Sequence, residues 1–466
     1  MKIKFMTLIK SISGIRGTIG GEKEKNLTPL DIVRFTSAFA QMIKEHCSEQ
    51  VTIVTGRDAR ISGEMVHELV NQTLVGMGVN VIDLGLSTTP TVAVMVPHYK
   101  AQAGIILTAS HNPKEWNALK LFNALGEFID AAAGAQVLDL AEKEAFVYAS
   151  VTELGKLKKV NSAIEYHIKA TLDLKWVHTA GILKNKFKVV VDAVNSTGGI
   201  AIPKLLDQLG IESIQIHCTP DGNFPHNPEP LKEHLTDLCQ AVVQHQADFG
   251  IAVDPDVDRL VFVDEKGVLF GEEYTLVACA DYILSKTPGN TVSNLSSTRA
   301  LADVTQQHGG HYTASAVGEV NVVTQMKANQ AVIGGEGNGG VIYPDLHYGR
   351  DALVGVALFL SLLVEKQCTV SALRSQYPSY FMSKNKITLT EGLDVDGILK
   401  TLEKKYSKEQ ITTVDGLKID FETQWVHLRK SNTEPIIRIY TEAQSQKEAE
   451  DLASRFVSEL EKLIVS

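Results

Sequence analysis

The chain reads as an α/β protein: three similar α/β domains on mainly parallel mixed sheets, followed by a smaller α+β domain. Three observations predict this. A strand, a polar turn, a helix and a second strand recur three times in the same order. The C-terminal part instead strings strands together before one amphipathic helix. Finally, 466 residues amount to three or four domains at about 100–200 residues each.

The first unit runs from the β-branched strand Val51–Val54 through the turn Gly56-Arg57-Asp58-Ala59-Arg60 into a helix over Gly63–Gly76, then a strand at Val79–Ile82. The second starts with Lys188–Val191, turns through Asn195-Ser196-Thr197-Gly198-Gly199, and continues as a helix to Leu209 and a strand at Ser213–Ile216. The third takes Thr291–Asn294, Ser296-Ser297-Thr298-Arg299, a helix to His308 and a strand near Tyr312. Beyond these, Gly416–Ile419, Gln424–Leu428 and Ile436–Tyr440 read as successive strands. A helix over Lys447–Ile464 follows, apolar at Ala449, Leu452, Ala453, Phe456, Leu460 and Leu463. Polar stretches place the divisions at 1–153, 154–254, 255–372 and 373–466.

Composition narrows the function. There are 45 Lys and Arg against 55 Asp and Glu, a formal charge of −10, with 44% hydrophobic and 21% charged residues. Those values exclude global disorder, and the acidic balance points away from nucleic acid. The apolar run Ala352–Val364 falls short of the about 20 residues a membrane span needs and reads as a core helix. Phe5–Ile9, between Lys4 and Lys10, is too short for a signal-peptide core. The cysteines at 47, 218, 239, 279 and 368 form no C-x-x-C pair, as expected of reduced thiols in a cytoplasmic protein. An acidic protein that handles an anion must gather its cations locally.

Four loops carry candidate chemistry. An apolar strand, Gly104–Leu107, ends in Thr108-Ala109-Ser110-His111-Asn112-Pro113. Ser110 reads as a nucleophile with His111 as proton-transfer or charge partner, or else as the cap of a tight turn. Asp254-Pro255-Asp256-Val257-Asp258-Arg259 sets three carboxylates at alternate positions. They fit one hard cation, magnesium, with Arg259 as a phosphate partner; a solvated acidic turn is the alternative. Gly334-Gly335-Glu336-Gly337-Asn338-Gly339-Gly340 lets backbone approach a ligand, with Glu336 and Asn338 offering groups to sugar hydroxyls, or is a plain glycine turn. Arg429-Lys430-Ser431-Asn432-Thr433-Glu434-Pro435, with Arg438 beyond, is an anion clamp or a solvated hairpin. Hydroxyl, metal, polyol reader and phosphate clamp together point to phosphoryl transfer on a phosphosugar.

On these four loops, in this order, the sequence resembles the α-D-phosphohexomutase family over essentially its whole length. The resemblance implies a heart-shaped arrangement around a central cleft, with a TBP-like fourth domain. It implies that Ser110 carries a phosphoryl group, that Asp254, Asp256, Asp258 and an oxygen on Ser110 hold Mg2+, and that Arg259 steadies the phosphoryl group. Lys120 would be a general acid/base beside His111, and Arg16 of Gly14-Ile15-Arg16-Gly17 would support the site. Glu336 would read the sugar 3- and 4-hydroxyls, and Arg429, Ser431, Asn432 and Thr433 would clamp the idle phosphate. A hexose 1,6-bisphosphate would be intermediate and activator, the substrate a phosphosugar, and the chain a monomer or homodimer without nucleic-acid or membrane partners.

The chain also departs from many bacterial relatives. Asn338-Gly339-Gly340 stands where Ser-x-His is usual, Gly318-Glu319 where Gly-His is, Pro255 and Val257 where glycines are, and Ser296 where some place a lysine. These features resemble the archaeal-type and Bacteroidetes branches. Gly14–Gly17 and Arg429-Lys430-Ser431 resemble the phosphoglucosamine mutases, Asn432 pulls toward the phosphomannomutase/phosphoglucomutase type, and Glu336 does not discriminate.

Overall fold

The computed structural model describes residues 6–11, 14–389, 393–430 and 436–465. The first sheet holds β1 (Ile9–Ser11), β2 (Gly14–Thr18), β3 (Thr52–Arg57), β4 (Asn80–Leu86), β5 (Ala103–Leu107), β6 (Trp116–Phe122) and β7 (Leu157–Lys159), in the order β1-β2-β6-β5-β3-β4-β7. The second is β11-β10-β8-β9, from β8 (Lys188–Asp192), β9 (Glu212–Ile216), β10 (Phe249–Val253) and β11 (Leu260–Asp264). The third is β13-β12-β14-β15, from β12 (Asn290–Asn294), β13 (Tyr312–Ser315), β14 (Ala331–Glu336) and β15 (Gly340–Ile342).

These three sheets share one topology. Within each, the second strand lies parallel to the first, the third parallel to the first on its other side, and the fourth antiparallel to the third. The first sheet adds antiparallel β1–β2 and β2–β6 pairs and a parallel β4–β7 pair, so its pairs divide evenly between the two kinds. The shared order has a functional consequence. The loops containing Ser110, the three aspartates and Asn338 are all the connection from third to fourth strand.

The fourth sheet is antiparallel, β16-β20-β19-β18-β17, from β16 (Phe381–Thr388), β17 (Gln410–Thr412), β18 (Leu417–Asp420), β19 (Trp425–Lys430) and β20 (Ile436–Ala443). The helix Gln446–Val465 buries Leu452, Phe456 and Leu460 against it.

Local chemistry explains the helices that matter most. Gly63–Gly76 has the expected bounds and buries Val66, Val70 and Leu74, one face at four-residue spacing. Asp351 caps the helix Ala352–Lys366 by accepting from the N–H groups of Leu353 (2.8 Å) and Val354 (3.4 Å). Every residue from Ala352 to Leu363 is buried, so this apolar run is a core helix. Each of its large side chains contributes about 1.5–3 kcal/mol. Among the described residues no helix is long and apolar enough to cross a membrane.

One expected division falls inside a sheet. A boundary between 254 and 255 would part β10 from β11, yet these strands pair in unbroken register from Phe249↔Asp264 to Val253↔Leu260. The acidic loop has the polarity and proline of a linker, but its flanking strands are hydrogen-bonded neighbours. It is the turn of a hairpin in the second unit.

Candidate active site

Ser110 follows β5 in a left-handed backbone conformation, φ 49°, and is buried. Its backbone N–H donates to Thr108 Oγ1 at 2.9 Å, and Thr108 donates to Asp58 Oδ2 at 2.6 Å. Arg60, 1% exposed, holds the loop from behind. Its Nε donates to Asp58 Oδ2 at 3.0 Å and its Nη atoms to the carbonyls of Ser110, Asn112 (2.7 Å), Pro113 (2.6 Å) and Trp116 (3.1 Å). A guanidinium has five donors in a fixed fork, and a lysine could not replace these bonds.

The Ser110 hydroxyl donates to Asp254 Oδ2 at 2.7 Å across the boundary between the first and second units. Asp254 Oδ1 accepts from the N–H groups of Asp258 (3.1 Å) and Arg259 (3.2 Å), curling the loop round its own carboxylate. All three units brace this loop. From the first, Thr89 donates its N–H to the Asp256 carbonyl at 2.9 Å and its hydroxyl to the Asp256 carboxylate. From the second, Ser196 and Thr197 donate to the Pro255 carbonyl at 2.7 and 2.9 Å. From the third, the Ala352 N–H donates to the Val257 carbonyl at 3.1 Å. Val257 is held at φ 65°, costly for a β-branched residue, and is fully buried.

The three carboxylates offer oxygens within 4.8 Å of one another. Burial, then the charges of Asp256 and Asp258, pushes Asp254 well above the usual carboxylate range. Asp256 goes the other way: burial opposes ionisation, but Lys120 beside it holds its carboxyl low. Lys120 Nζ lies 2.7 Å from Asp256 Oδ2 and 3.7 Å from Asp258 Oδ2, and these charges raise the ammonium above its ordinary value against the effect of burial. Asp256 Oδ1 and Asp258 Oδ1 are buried without a hydrogen-bond partner. Buried, unpaired, all-oxygen donors suit a hard divalent cation.

Arg350 joins this centre to the glycine loop. Its guanidinium donates to Asp258 Oδ2 (2.7 Å) and Glu319 Oε2 (2.7 Å) and lies 2.9 Å from Glu336 Oε2. Glu336, at the end of β14, also accepts from Asn294 Nδ2 (2.8 Å) and the Gly318 N–H (3.2 Å). Burial alone would raise its carboxyl; Arg350 and Asn294 bring it below the usual value. Packing accounts for some of the glycines. A Cβ on Gly337 would sit 1.9 Å from the Glu273 carboxylate, and one on Gly339, at φ 87°, 2.4 Å from the Leu260 carbonyl oxygen. Asn338 Oδ1 is buried without a partner.

The cations are arranged as follows. Arg259 is buried, its Nη1 3.0 Å from Glu229 Oε1 and its Nε unpartnered. Arg16 on β2 is half-buried, and burial, then nearby Arg438 of the fourth unit, lowers it below its usual value. Arg429 and Arg438 stand directly opposite on β19 and β20. Arg429 Nε lies 3.0 Å from Asp415, whose carboxylate also accepts from the Val317 N–H at 3.0 Å. Ser431, Asn432 and Thr433 lie outside the described residues. Burial, then Arg259, Lys120 and Arg350, push the His111 ring well below its ordinary value, and its Nδ1 has no partner.

Sequence reasoning missed Arg60, Thr89, Glu229, Arg350 and Asp415. Arg60 stood in the noted polar turn after β3, and Arg350-Asp351 directly precedes the apolar run. In each, a charged residue at the edge of a buried element was the available signal.

Family models described as "Phosphoglucomutase/phosphomannomutase, alpha/beta/alpha" domains I, II and III match residues 8–148, 166–267 and 271–380, and the model of the C-terminal domain matches 385–459. The chain belongs to the phosphoglucomutase/phosphomannomutase family. This phosphohexomutase is 35% identical over 454 residues to a phosphoglucomutase/phosphomannomutase from Thermococcus kodakarensis, covering 96% of this chain and 98% of that one. It is 32% identical over 449 residues to a probable phosphoglucosamine mutase from Methanopyrus kandleri, with 96% of each chain covered. A solved structure of a family protein from Burkholderia thailandensis superposes with a TM-score of 0.84 at 25% identity, covering 98% of the mutase and 97% of that chain. The second family match runs to residue 267, past β11, in agreement with the sheet.

Proposed function

We propose that this phosphohexomutase interconverts glucosamine 6-phosphate and glucosamine 1-phosphate, with Ser110 as phosphoryl carrier and the bound bisphosphate as intermediate. The convergence of the Ser110 hydroxyl on Asp254, with Lys120 beside the same acidic loop, carries the reading. Asp254, Asp256 and Asp258, with an oxygen on Ser110, would hold Mg2+, which supplies Lewis-acid stabilisation of charge on the transferring phosphoryl group.

The chain's own groups divide the remaining work. His111, held neutral, accepts the proton of the attacking sugar hydroxyl as the phosphoryl group leaves Ser110. Lys120, held protonated, delivers a proton to the oxygen released on Ser110. Environments that push two such groups apart mark acid and base. Arg16 and Arg259 face the transferring group. Arg429 and Arg438, with Ser431, Asn432 and Thr433, hold the other phosphate, and Glu336 and Asn338 orient the sugar. Phosphoryl transfer of this kind is mainly positioning and electrostatics. These residues all belong to one chain, so neither a monomer nor a homodimer needs a partner's residues in the site.

The glucosamine preference rests on Gly14-Ile15-Arg16-Gly17 and Arg429-Lys430-Ser431. The second reading, glucose and mannose phosphates, is favoured by the activity named for the Thermococcus relative. Measuring kcat/KM on the glucosamine, glucose and mannose 1-phosphates separates them. Higher values for glucose or mannose overturn the substrate assignment and leave the mutase chemistry standing.

A further inference from the structure

Away from the site, three potential metal ligands converge at the carboxyl end of the second sheet. Asp192 ends β8, His217 follows β9, and the loop after it returns with His226. Their ligand atoms lie within 4.8 Å of one another. His226 Nε2 is 3.0 and 3.2 Å from the two Asp192 oxygens, and its Nδ1 is 2.8 Å from the Asn227 carbonyl. A carbonyl and a carboxylate only accept, so Nδ1 donates to Asn227 and Nε2 to Asp192, and a cation would take the place of the Nε2 proton. A backbone carbonyl fixing one ring nitrogen while the other faces the ion is the usual support of a metal-binding histidine. The His217 ring stands 5.5 Å away between centroids, with the Asp237 carboxylate 3.2 Å from its Nε2.

We propose that Asp192, His217 and His226 bind a divalent transition cation of the Zn2+, Co2+ or Ni2+ class. Two imidazoles and one carboxylate form a donor set that borderline metals accept and magnesium, which favours oxygen and retains its waters, does not. The site has a buried base and an open mouth: the Asp192 side chain is 1% exposed, against 16% for His226 and 23% for His217. Neighbouring Cys218 stays outside the ligand set, its Sγ directed at the carbonyls of Ile216 (3.2 Å) and Val191 (3.6 Å).

The cation would tether a loop that reaches the catalytic region without entering it. Asn227, which orients His226, accepts the Glu229 N–H on its Oδ1 at 3.0 Å, and Glu229 holds Arg259.

The test uses the full chain, stripped by a chelator and dialysed against micromolar Co2+ with millimolar Mg2+ present to occupy the all-oxygen triad. About one Co2+ per chain should be retained, with visible ligand-field bands. Affinity should fall at least about tenfold in His226→Gln and in His217→Gln and stay unchanged in Asp254→Asn. Circular dichroism melts establish that each variant is folded, and His217, more exposed, serves if His226→Gln is not. No cobalt retained under magnesium, or retention lost in Asp254→Asn but kept in the folded histidine variants, would overturn the assignment.

Discussion

The β5–β6 and β10–β11 connections occupy the same place in the same topology and carry opposite chemistry. The first presents a hydroxyl, pinned from outside by Arg60; the second presents three carboxylates, braced by groups from all three α/β units. The equivalent turn of the third unit, between β14 and β15, carries Asn338 and no charge of its own, with Glu336 at its edge. A repeated fold thus supplies three equivalent positions, and loop composition decides what each does. The loops also complete one another. Lys120, on the strand after the hydroxyl loop, neutralises the acidic one, and Arg350 ties the acidic loop to the glycine loop. The local cations expected of an acidic chain are distributed across units.

The largest effect should come from emptying the first connection. Ser110→Ala should lower kcat by at least about 10⁴-fold with little change in melting temperature; near-full activity would mean the hydroxyl loop is only a turn. Removing the outside pin should unfold more than it inactivates. Arg60→Met takes the guanidinium from buried Asp58, which keeps the Thr108 hydroxyl, and from four carbonyls, and should cost about 3–5 kcal/mol in chemical denaturation. A loss below about 1 kcal/mol would show that the loop holds itself.

The fourth unit offers a contrast, since it docks through a histidine. His427 Nδ1 lies 2.9 Å from Ser296 Oγ and its Nε2 2.7 Å from the Asp415 carbonyl. Burial lowers its pKa to about 4. The unfolded chain, near its ordinary value of about 6.5, takes up the proton first as pH falls. This contribution is therefore full above about pH 6.5 and lost between there and about 4, roughly 3 kcal/mol in all. His427→Gln should flatten the fall in melting temperature between pH 7 and 5, leaving the share of His67, also lowered to about 4. An unchanged slope would remove His427 from the account.

The smallest effect concerns the second connection. Mg2+ at a hundredfold excess over its dissociation constant should stabilise the fold by about 2.7 kcal/mol, and Asp254→Asn should abolish that response. An equal response in the variant would place the ion elsewhere.

Much of this was legible in the chain because loops that do chemistry concentrate unusual residues. Ser110-His111-Asn112-Pro113, the alternating aspartates and the glycine run stand out against apolar strands, and the helix Ala352–Lys366 is apolar over Ala352–Val364 but for Gly355 and Ser361. The supporting shell was not legible. Arg60, Thr89 and Arg350 act on residues 50 to 167 positions away, and local pattern says nothing of such pairings. The same limit explains the misplaced division at 254, where a polar proline-containing segment is a hairpin turn between paired strands.

The proposed role of Ser110 as phosphoryl carrier is open to peptide mass spectrometry of the enzyme incubated with hexose 1,6-bisphosphate and Mg2+. Phosphate should appear on the peptide holding Ser110 and pass to added hexose monophosphate. Mutase turnover with Ser110 unmodified throughout would contradict it.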